Sequence, residues 1–195
     1  MYSDIVFPDG NEAQFIEIAS KLGYSHLYFI YAFDKLKKAE FKNPKIKITT
    51  GIISNANNFR KAKNLSDFVI ISGSIQDRQV LEKIKPVILF DIEKGANKDF
   101  IHHRASGLNQ VLCKIAHENK VAIGFSFSTI LNLESKVFGR ISQNIKLCRK
   151  YKVKTVIASF AKKPYEMRST HDLIALFICL GMHPTEAKKS LSIID

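Results

Sequence analysis

ISQNIKLCRKYKVKTVIASFAKKPYEMRSTHDLIALFICLGM, residues 141–182, holds in one run the parts from which the fold is read. It starts on the periodicity of a basic amphipathic helix, passes through a β-rich apolar run at 155–159, crosses a charged loop and enters a second helix. The first helix, over 136–151, puts Val137, Phe138, Ile141, Ile145 and Cys148 on one side and Lys136, Arg140, Gln143, Lys146 and Lys150 on the other. The second, over 169–180, opens on Ser169-x-x-Asp172, the spacing of a capping box, and ends at Gly181. Its run 173–180 is apolar all round, which predicts deep packing. A short last helix begins at Pro184, with Ala187, Leu191 and Ile194 turned inward.

Working outward, the same alternation fills the chain. Apolar runs rich in β-formers fall at 4–7, 26–32, 46–54, 68–72, 87–90 and 121–127, besides 155–159. Most are continuous rather than alternating, the pattern of strands covered on both faces in a parallel sheet. The stretches between them are long enough for crossover helices. Two more helices have readable faces: 11–22, with Phe15, Ile18, Ala19 and Leu22 on one side, and 106–119, with Leu108, Val111, Leu112 and Ile115. Seven strand–helix units predict an α/β fold, a single distorted β/α barrel over residues 1–195. An open doubly wound sheet competes, but the chain carries no Gly-rich dinucleotide or P-loop fingerprint.

Composition narrows the class. At 46% apolar residues the chain is not generally disordered. No apolar run approaches the ~20 residues of a membrane span, and MYSDIVFPDG has neither half of a secretory signal. A cytoplasmic protein is expected. Cys113, Cys148 and Cys179 show no CxxC pairing and read as small core residues in a reducing compartment.

Charge points to a partner. The formal charge of +12 is concentrated: residues 136–168 carry ten Lys/Arg against Glu166, and residues 35–63 carry nine against Glu40. Residues 64–135 balance. Concentrated positive charge suits a polyanion, because each phosphate neutralised releases condensed counterions. The competing reading is a set of solvated lysine faces.

FDIEKG (90–95), HHRASGLNQVLCKIA (102–116), IGFSF (123–127) and NIKLCRKYKVKTVIASFAKKPYEMRSTHDLIAL (144–176) resemble the protein component 3 family of archaeal ribonuclease P, whose eukaryotic counterpart is the thirty-kilodalton subunit of nuclear RNase P and RNase MRP. The resemblance is specific over roughly half of the chain. It implies a TIM-like barrel, related to PHP-type barrels, and a role in removing the 5′ leader of precursor tRNA. It also implies that the catalyst is the RNA, using Mg2+, and that the protein itself binds no cofactor. The implied partners are the RNase P RNA, a small ferredoxin-like protein subunit, and precursor tRNA as the substrate of the assembly; no membrane is involved. An archaeal, cytoplasmic ribonucleoprotein follows.

Candidate RNA contacts are Lys42, Lys114, Lys146, Arg149, Lys150, Lys162 and Arg168, with Arg104 behind them. Lys146, Arg149 and Lys150 share one helix, and Lys152 and Lys154 extend its positive field. Lys162, Lys163 and Arg168 follow the seventh strand, at the barrel end where binding loops gather. There Tyr165 either stacks on a base or seals the mouth, and Arg168 either grips phosphate or fixes its own loop through Glu166 or Asp172. Asn109 either reaches RNA or fixes the loop before its helix.

The rival reading is a stand-alone metal-dependent PHP-like phosphoesterase. Asp91, Glu93, Asp99, His102, His103 and His171 are the residue types it needs. However, a PHP-type barrel has His-x-His after its first strand, and here that segment is Phe7-Pro8-Asp9-Gly10. His102 and His103 are adjacent and would point apart on a regular element. No catalytic residue and no metal ligand is therefore assigned, and Asp91 is expected to hydrogen-bond at a strand end.

Overall fold

The continuous apolar runs are explained by what each strand faces. The computed structural model describes residues 1–35, 46–74, 76–95, 99, 104–132 and 136–193. In it β1 (Ser3–Val6), β2 (His26–Ala32), β3 (Lys47–Ser54), β4 (Val69–Ser72), β5 (Ile88–Phe90), β6 (Ala122–Ser126) and β7 (Thr155–Ala158) form one parallel sheet in sequential order. Ile5, Tyr28, Ile30, Ile70, Ile88, Phe90, Val156 and Ala158 point inward and fill the barrel. Their neighbours Val6, Leu27, Phe29, Leu89, Ile123 and Phe125 point outward against helices. Both faces are thus apolar, and alternation disappears from the sequence.

The sheet curls until β1 meets β7. One bridge, Val6 to Ala161, and the bond from the Phe7 amide to the Ala161 carbonyl (2.8 Å) join them. A side chain supplies the rest of the seam: Asp4 Oδ1 accepts from the amides of Ser159 (2.6 Å) and Ile5 (2.9 Å). Asp4 is fully buried, and burial pushes its carboxyl up to about 7 against the pull of the Ser159 amide. The chain's last described residues close the floor. Ser3 Oγ donates to Leu191 O (2.8 Å), the Ile193 amide donates back to Ser3 Oγ (3.1 Å), and Ile193 enters the barrel core.

The helices are α1 (Glu12–Lys21), α2 (Phe59–Leu65), α3 (Asp77–Gln79), α4 (Gln110–Glu118), α5 (Phe127–Asn132), α6 (Lys136–Lys150), α7 (Thr170–Cys179) and α8 (Pro184–Ser190). A π-helical turn, Val80–Ile84, continues α3. The barrel is the one expected from seven strand–helix units; several details are corrected, among them Val111, expected on the apolar face of its helix and 46% exposed. The helix expected from residue 106 starts at Gln110, because Asn109 is its cap, its side chain accepting from the Leu112 amide at 2.9 Å. In α7 and its cap residue Leu180, Leu173, Phe177 and Leu180 are buried but Ala175, Ile178 and Cys179 are exposed. A helix in the outer layer of a barrel has one wall to pack on, so an all-apolar run leaves one side open. Cys179 is accordingly a surface thiol, whereas Cys113 and Cys148 are buried as expected. Ile194 lies outside the described residues.

Candidate nucleic-acid interface and barrel mouth

α6 carries most of the candidate contacts. Val137, Ile141, Ile145 and Cys148 seat it on the barrel wall as its periodicity requires, whereas Phe138, expected on the same side, is 40% exposed. Asn144 Nδ2 donates to Ser106 O (2.8 Å) and Gln143 Nε2 to Ser106 Oγ (2.9 Å), tying it to the loop before α4. On the outer surface Lys146 and Lys150 are exposed, and among the described residues no carboxylate pairs with either. Lys150 Nζ sits 5.6 Å from the Tyr151 ring centroid, and the Tyr151 hydroxyl reaches Gln110 Oε1 (3.4 Å).

Two arginines of the same helix are structural. Arg140, placed by periodicity on the polar side, is 1% exposed. Its Nε donates to Asp99 Oδ1 (2.7 Å) and its Nη1 to Glu93 O (3.0 Å). Glu93 and Asp99, both after β5, meet this part of α6 and take up the guanidinium. Desolvation opposes it, yet the bonds from Arg140 and the Ala105 amide leave the Asp99 carboxyl below its ordinary range. Arg149 is engaged at the other end. Its Nη2 donates to Glu186 Oε2 (2.6 Å) and Gly181 O (2.5 Å), and its Nε to Glu186 Oε2 (3.1 Å). It fastens α6 to the turn between α7 and α8.

The remaining candidates are placed as follows. Lys114 is exposed on α4. Arg104 is exposed and lies across α6 at Gly139, where a Cβ would come within 2.5 Å of Arg104 Nε. Lys162 and Lys163 are exposed after β7, their amides held by Glu166 Oε2 (2.9 and 3.1 Å). Arg168 fixes its loop through carbonyls rather than through Glu166 or Asp172: Nη1 donates to Tyr165 O (3.0 Å) and Met167 O (2.9 Å). Its guanidinium also stacks 5.3 Å from the Phe127 ring centroid. Tyr165 is 85% exposed, so it does not seal the mouth. Lys42 lies outside the described residues, as do His102 and His103.

These residues do not form one patch. Each crossover helix runs back along the barrel against its strand, so the end of α6 and the start of β7 lie at the floor, while residues 162–168 lie at the mouth. The floor holds Lys146, Arg149 and Lys150, with Lys152, Lys154, His183 and Lys189 around a groove of about 660 Å³. His183 and Lys189 were not among the sequence candidates; their short helix gives no signal that it ends beside α6.

The mouth opens on a larger cavity of about 1010 Å³. At its base Phe90 and Phe160 stack at 4.5 Å with planes 10° apart, and Phe7 leans on both. Lys35, Lys94, Lys162 and Lys163 are on its rim. Asp91 lines it too, buried to 6% exposure, with Thr129 Oγ1 donating to Oδ1 (2.6 Å) and Lys94 Nζ to Oδ2 (2.5 Å). The strand-end role expected for Asp91 is the one it has. Glu93, just below, is pushed up to about 7 by burial. Among the described residues no three His, Cys, Asp or Glu side chains converge as a metal site.

Fold and site together define a β/α-barrel protein that displays lysines on rigid helices and loops. The chain belongs to the RNase P subunit p30 family, whose model matches residues 1–194. It is, by family, a ribonuclease P protein subunit. Among curated relatives, ribonuclease P protein component 3 of Methanosarcina mazei is 30% identical over 96% of this chain and 82% of its own length. That of Methanosarcina acetivorans is 32% identical over 69% of this chain, and the match spans only 55% of the relative. A chain of archaeal ribonuclease P with mature tRNA, solved by cryo-EM, superposes with a TM-score of 0.81 at 24% identity, over 98% of this chain and 87% of that one. A prolidase shares the barrel at a TM-score of 0.53 and 6% identity, over 98% of this chain and 74% of its own.

Proposed function

We propose that the protein works in 5′ maturation of precursor tRNA by binding the RNase P RNA and stabilising its active fold, without performing the chemistry itself. The observation that carries this reading is the state of the floor lysines. Lys146, Lys150, Lys152 and Lys154 are exposed, and among the described residues none is neutralised by a carboxylate. They project from a helix end and a turn that the barrel holds fixed. Lysines so held meet phosphates at set spacings, and structured RNA is recognised mostly through backbone and shape. Lys114 and Arg104 extend this surface along the wall, and Lys162 lies at the mouth; Arg149 and Arg168 contribute by holding the frame. Relatives named ribonuclease P protein component 3 support the assignment. Under this reading Mg2+ acts in the RNA, a small ferredoxin-like subunit is the protein partner, and the complex is cytoplasmic. No observation favours a stand-alone phosphoesterase.

The test is reconstitution. RNase P RNA and the partner subunit are mixed with and without this chain at limiting Mg2+, and cleavage of precursor tRNA at its mature 5′ end is timed. Dependence on this chain, inert alone, supports the proposal. Equal rates with and without verified folded protein would refute it.

A further inference from the structure

The RNA-contact reading places backbone binding mainly on the floor and wall; at the mouth it uses only Lys162 and gives the cavity beneath that residue no role. We propose that this cavity is a binding site for a single nucleotide, with the base against the phenylalanine cluster and the phosphate between Lys162, Lys163 and Lys35.

Size is the first argument. At about 1010 Å³ the cavity is at the upper end of small-molecule sites. It has room for a nucleotide and is too small for a duplex. The second argument is the pairing of surfaces. Phe7 is half-buried and is the ring a nucleobase would meet, while Phe90 and Phe160, stacked on each other and only 4% and 2% exposed, are the apolar base that holds it. Above it, Lys162 and Lys163 have no carboxylate partner among the described residues, and Lys35 has only Asp9 at 3.8 Å, both exposed. Glu166, the nearest acid in sequence, is taken up by the amides of Lys162 and Lys163 rather than by their ammonium groups. Aromatic below and cation above is the complement of a base joined to a phosphate.

Third, the cavity is built at a cost. Asp91 (φ 61°) and Phe160 (φ 50°) are non-glycine residues in the left-handed region, and both line it. A bulky aromatic rarely adopts that conformation, and such strain gathers at binding sites. The left-handed turn at Asp91 ends β5 and leaves a buried carboxylate on the cavity wall, oriented by Thr129. Each carboxylate oxygen has two lone pairs, so Asp91 can still accept from a base N–H or a ribose hydroxyl.

The chemistry fits either an unstacked nucleotide of bound RNA or a free mononucleotide; the first source rests on the function proposed above, the pocket does not. The full chain is titrated calorimetrically with adenosine 5′-monophosphate, adenosine, inorganic phosphate and single-stranded hexaadenylate. The monophosphate should bind one per chain and more tightly than either of its parts. Lys162→Ala and Lys163→Ala should each weaken it roughly tenfold, the loss of one charge-assisted bond, with unchanged melting curves. If hexaadenylate binds more tightly and displaces the monophosphate, RNA is the source. If it does not compete, the ligand is a free nucleotide. No binding of either the monophosphate or hexaadenylate, or binding indifferent to both lysine substitutions, would overturn the proposal. Either result leaves the reconstitution assay to stand or fall separately.

Discussion

Arg149 separates what the sequence suggests from what the structure assigns. By position it belongs with Lys146 and Lys150 as a phosphate contact. In the folded chain its guanidinium makes three hydrogen bonds, two to Glu186 Oε2 and one to Gly181 O, with its side chain 34% exposed and that of Glu186 20%. Buried bonds to a charged group contribute about 1.5–3 kcal/mol, and fully exposed ion pairs about 0–1 kcal/mol. This pair sits between, so Arg149→Ala should destabilise by about 1–3 kcal/mol. For a chain of this size about 2–4 °C of Tm accompany each kcal/mol, so the midpoint should fall by several degrees. Glu186 would keep one partner, the His183 amide at 3.1 Å, which limits the damage. Urea denaturation of Arg149→Ala, Glu186→Gln and the double variant should give a coupling energy of at least about 0.5 kcal/mol. The salt dependence of RNA binding is the second readout. Its slope should be unchanged in Arg149→Ala and should fall by about one in Lys146→Ala. A slope that drops by one in Arg149→Ala, at wild-type stability, would refute the reasoning and return the residue to the RNA.

Lys146→Ala combined with Lys150→Ala should reduce the salt slope by nearly 2 and leave stability within about 0.5 kcal/mol; a filter-binding series against NaCl checks the first and denaturation the second. Burial holds the Asp4 carboxyl at about 7, so the folded chain keeps a proton that the unfolded carboxyl has lost above its ordinary range. This contribution to stability is complete near pH 4 and lost as pH rises through 7; Asp4→Asn should flatten that decline, and an unchanged stability–pH curve would count against it. Gly51→Ala should destabilise by about 1–3 kcal/mol, since its Cβ would stand 2.7 Å from both Phe68 Cδ1 and the Phe68 carbonyl, and backbone cannot yield. Asn109→Ala removes the cap of α4 and should lower stability by about 1 kcal/mol in thermal melts.

The strands were legible because a barrel covers them twice. Their ends agree with the apolar runs to within one or two residues, since burial of both faces begins and stops with the ladder. What a side chain meets beyond its own element was not legible. Helical periodicity put Arg140 on the polar side of α6, but only the meeting with Glu93 and Asp99, 47 and 41 residues away in sequence, decides that it is buried there. The same limit explains Cys179, where the helix is apolar all round and one side has no neighbour. Asn109 was readable as either a contact or an amide fixing the loop before its helix, and the bond from the Leu112 amide makes it the helix cap instead. The mouth was anticipated from loop position alone. Its phenylalanine base comes from three separate strand ends, a convergence that no local window contains.

Position along the chain also misleads about position in space. Lys150 and Lys162 are close in sequence and carry the same charge, yet β7 runs between them and sets them at opposite ends of the barrel. The helix cluster and the loop after the seventh strand, separate candidates in the sequence, are separate surfaces in the fold too. The two differ in chemistry as well. The floor offers lysines around a smaller groove that, among the described residues, no phenylalanine or tyrosine lines, suited to a string of phosphates. The mouth offers fewer cations over an aromatic base with a buried carboxylate, suited to one base with its phosphate. Phosphate contacts fix the register of a protein on RNA, whereas an unstacked base distinguishes one place on it from another. If RNA proves to be the ligand of both, a barrel that separates these two surfaces by its own length would dock on a folded RNA with the first and mark where it has docked with the second.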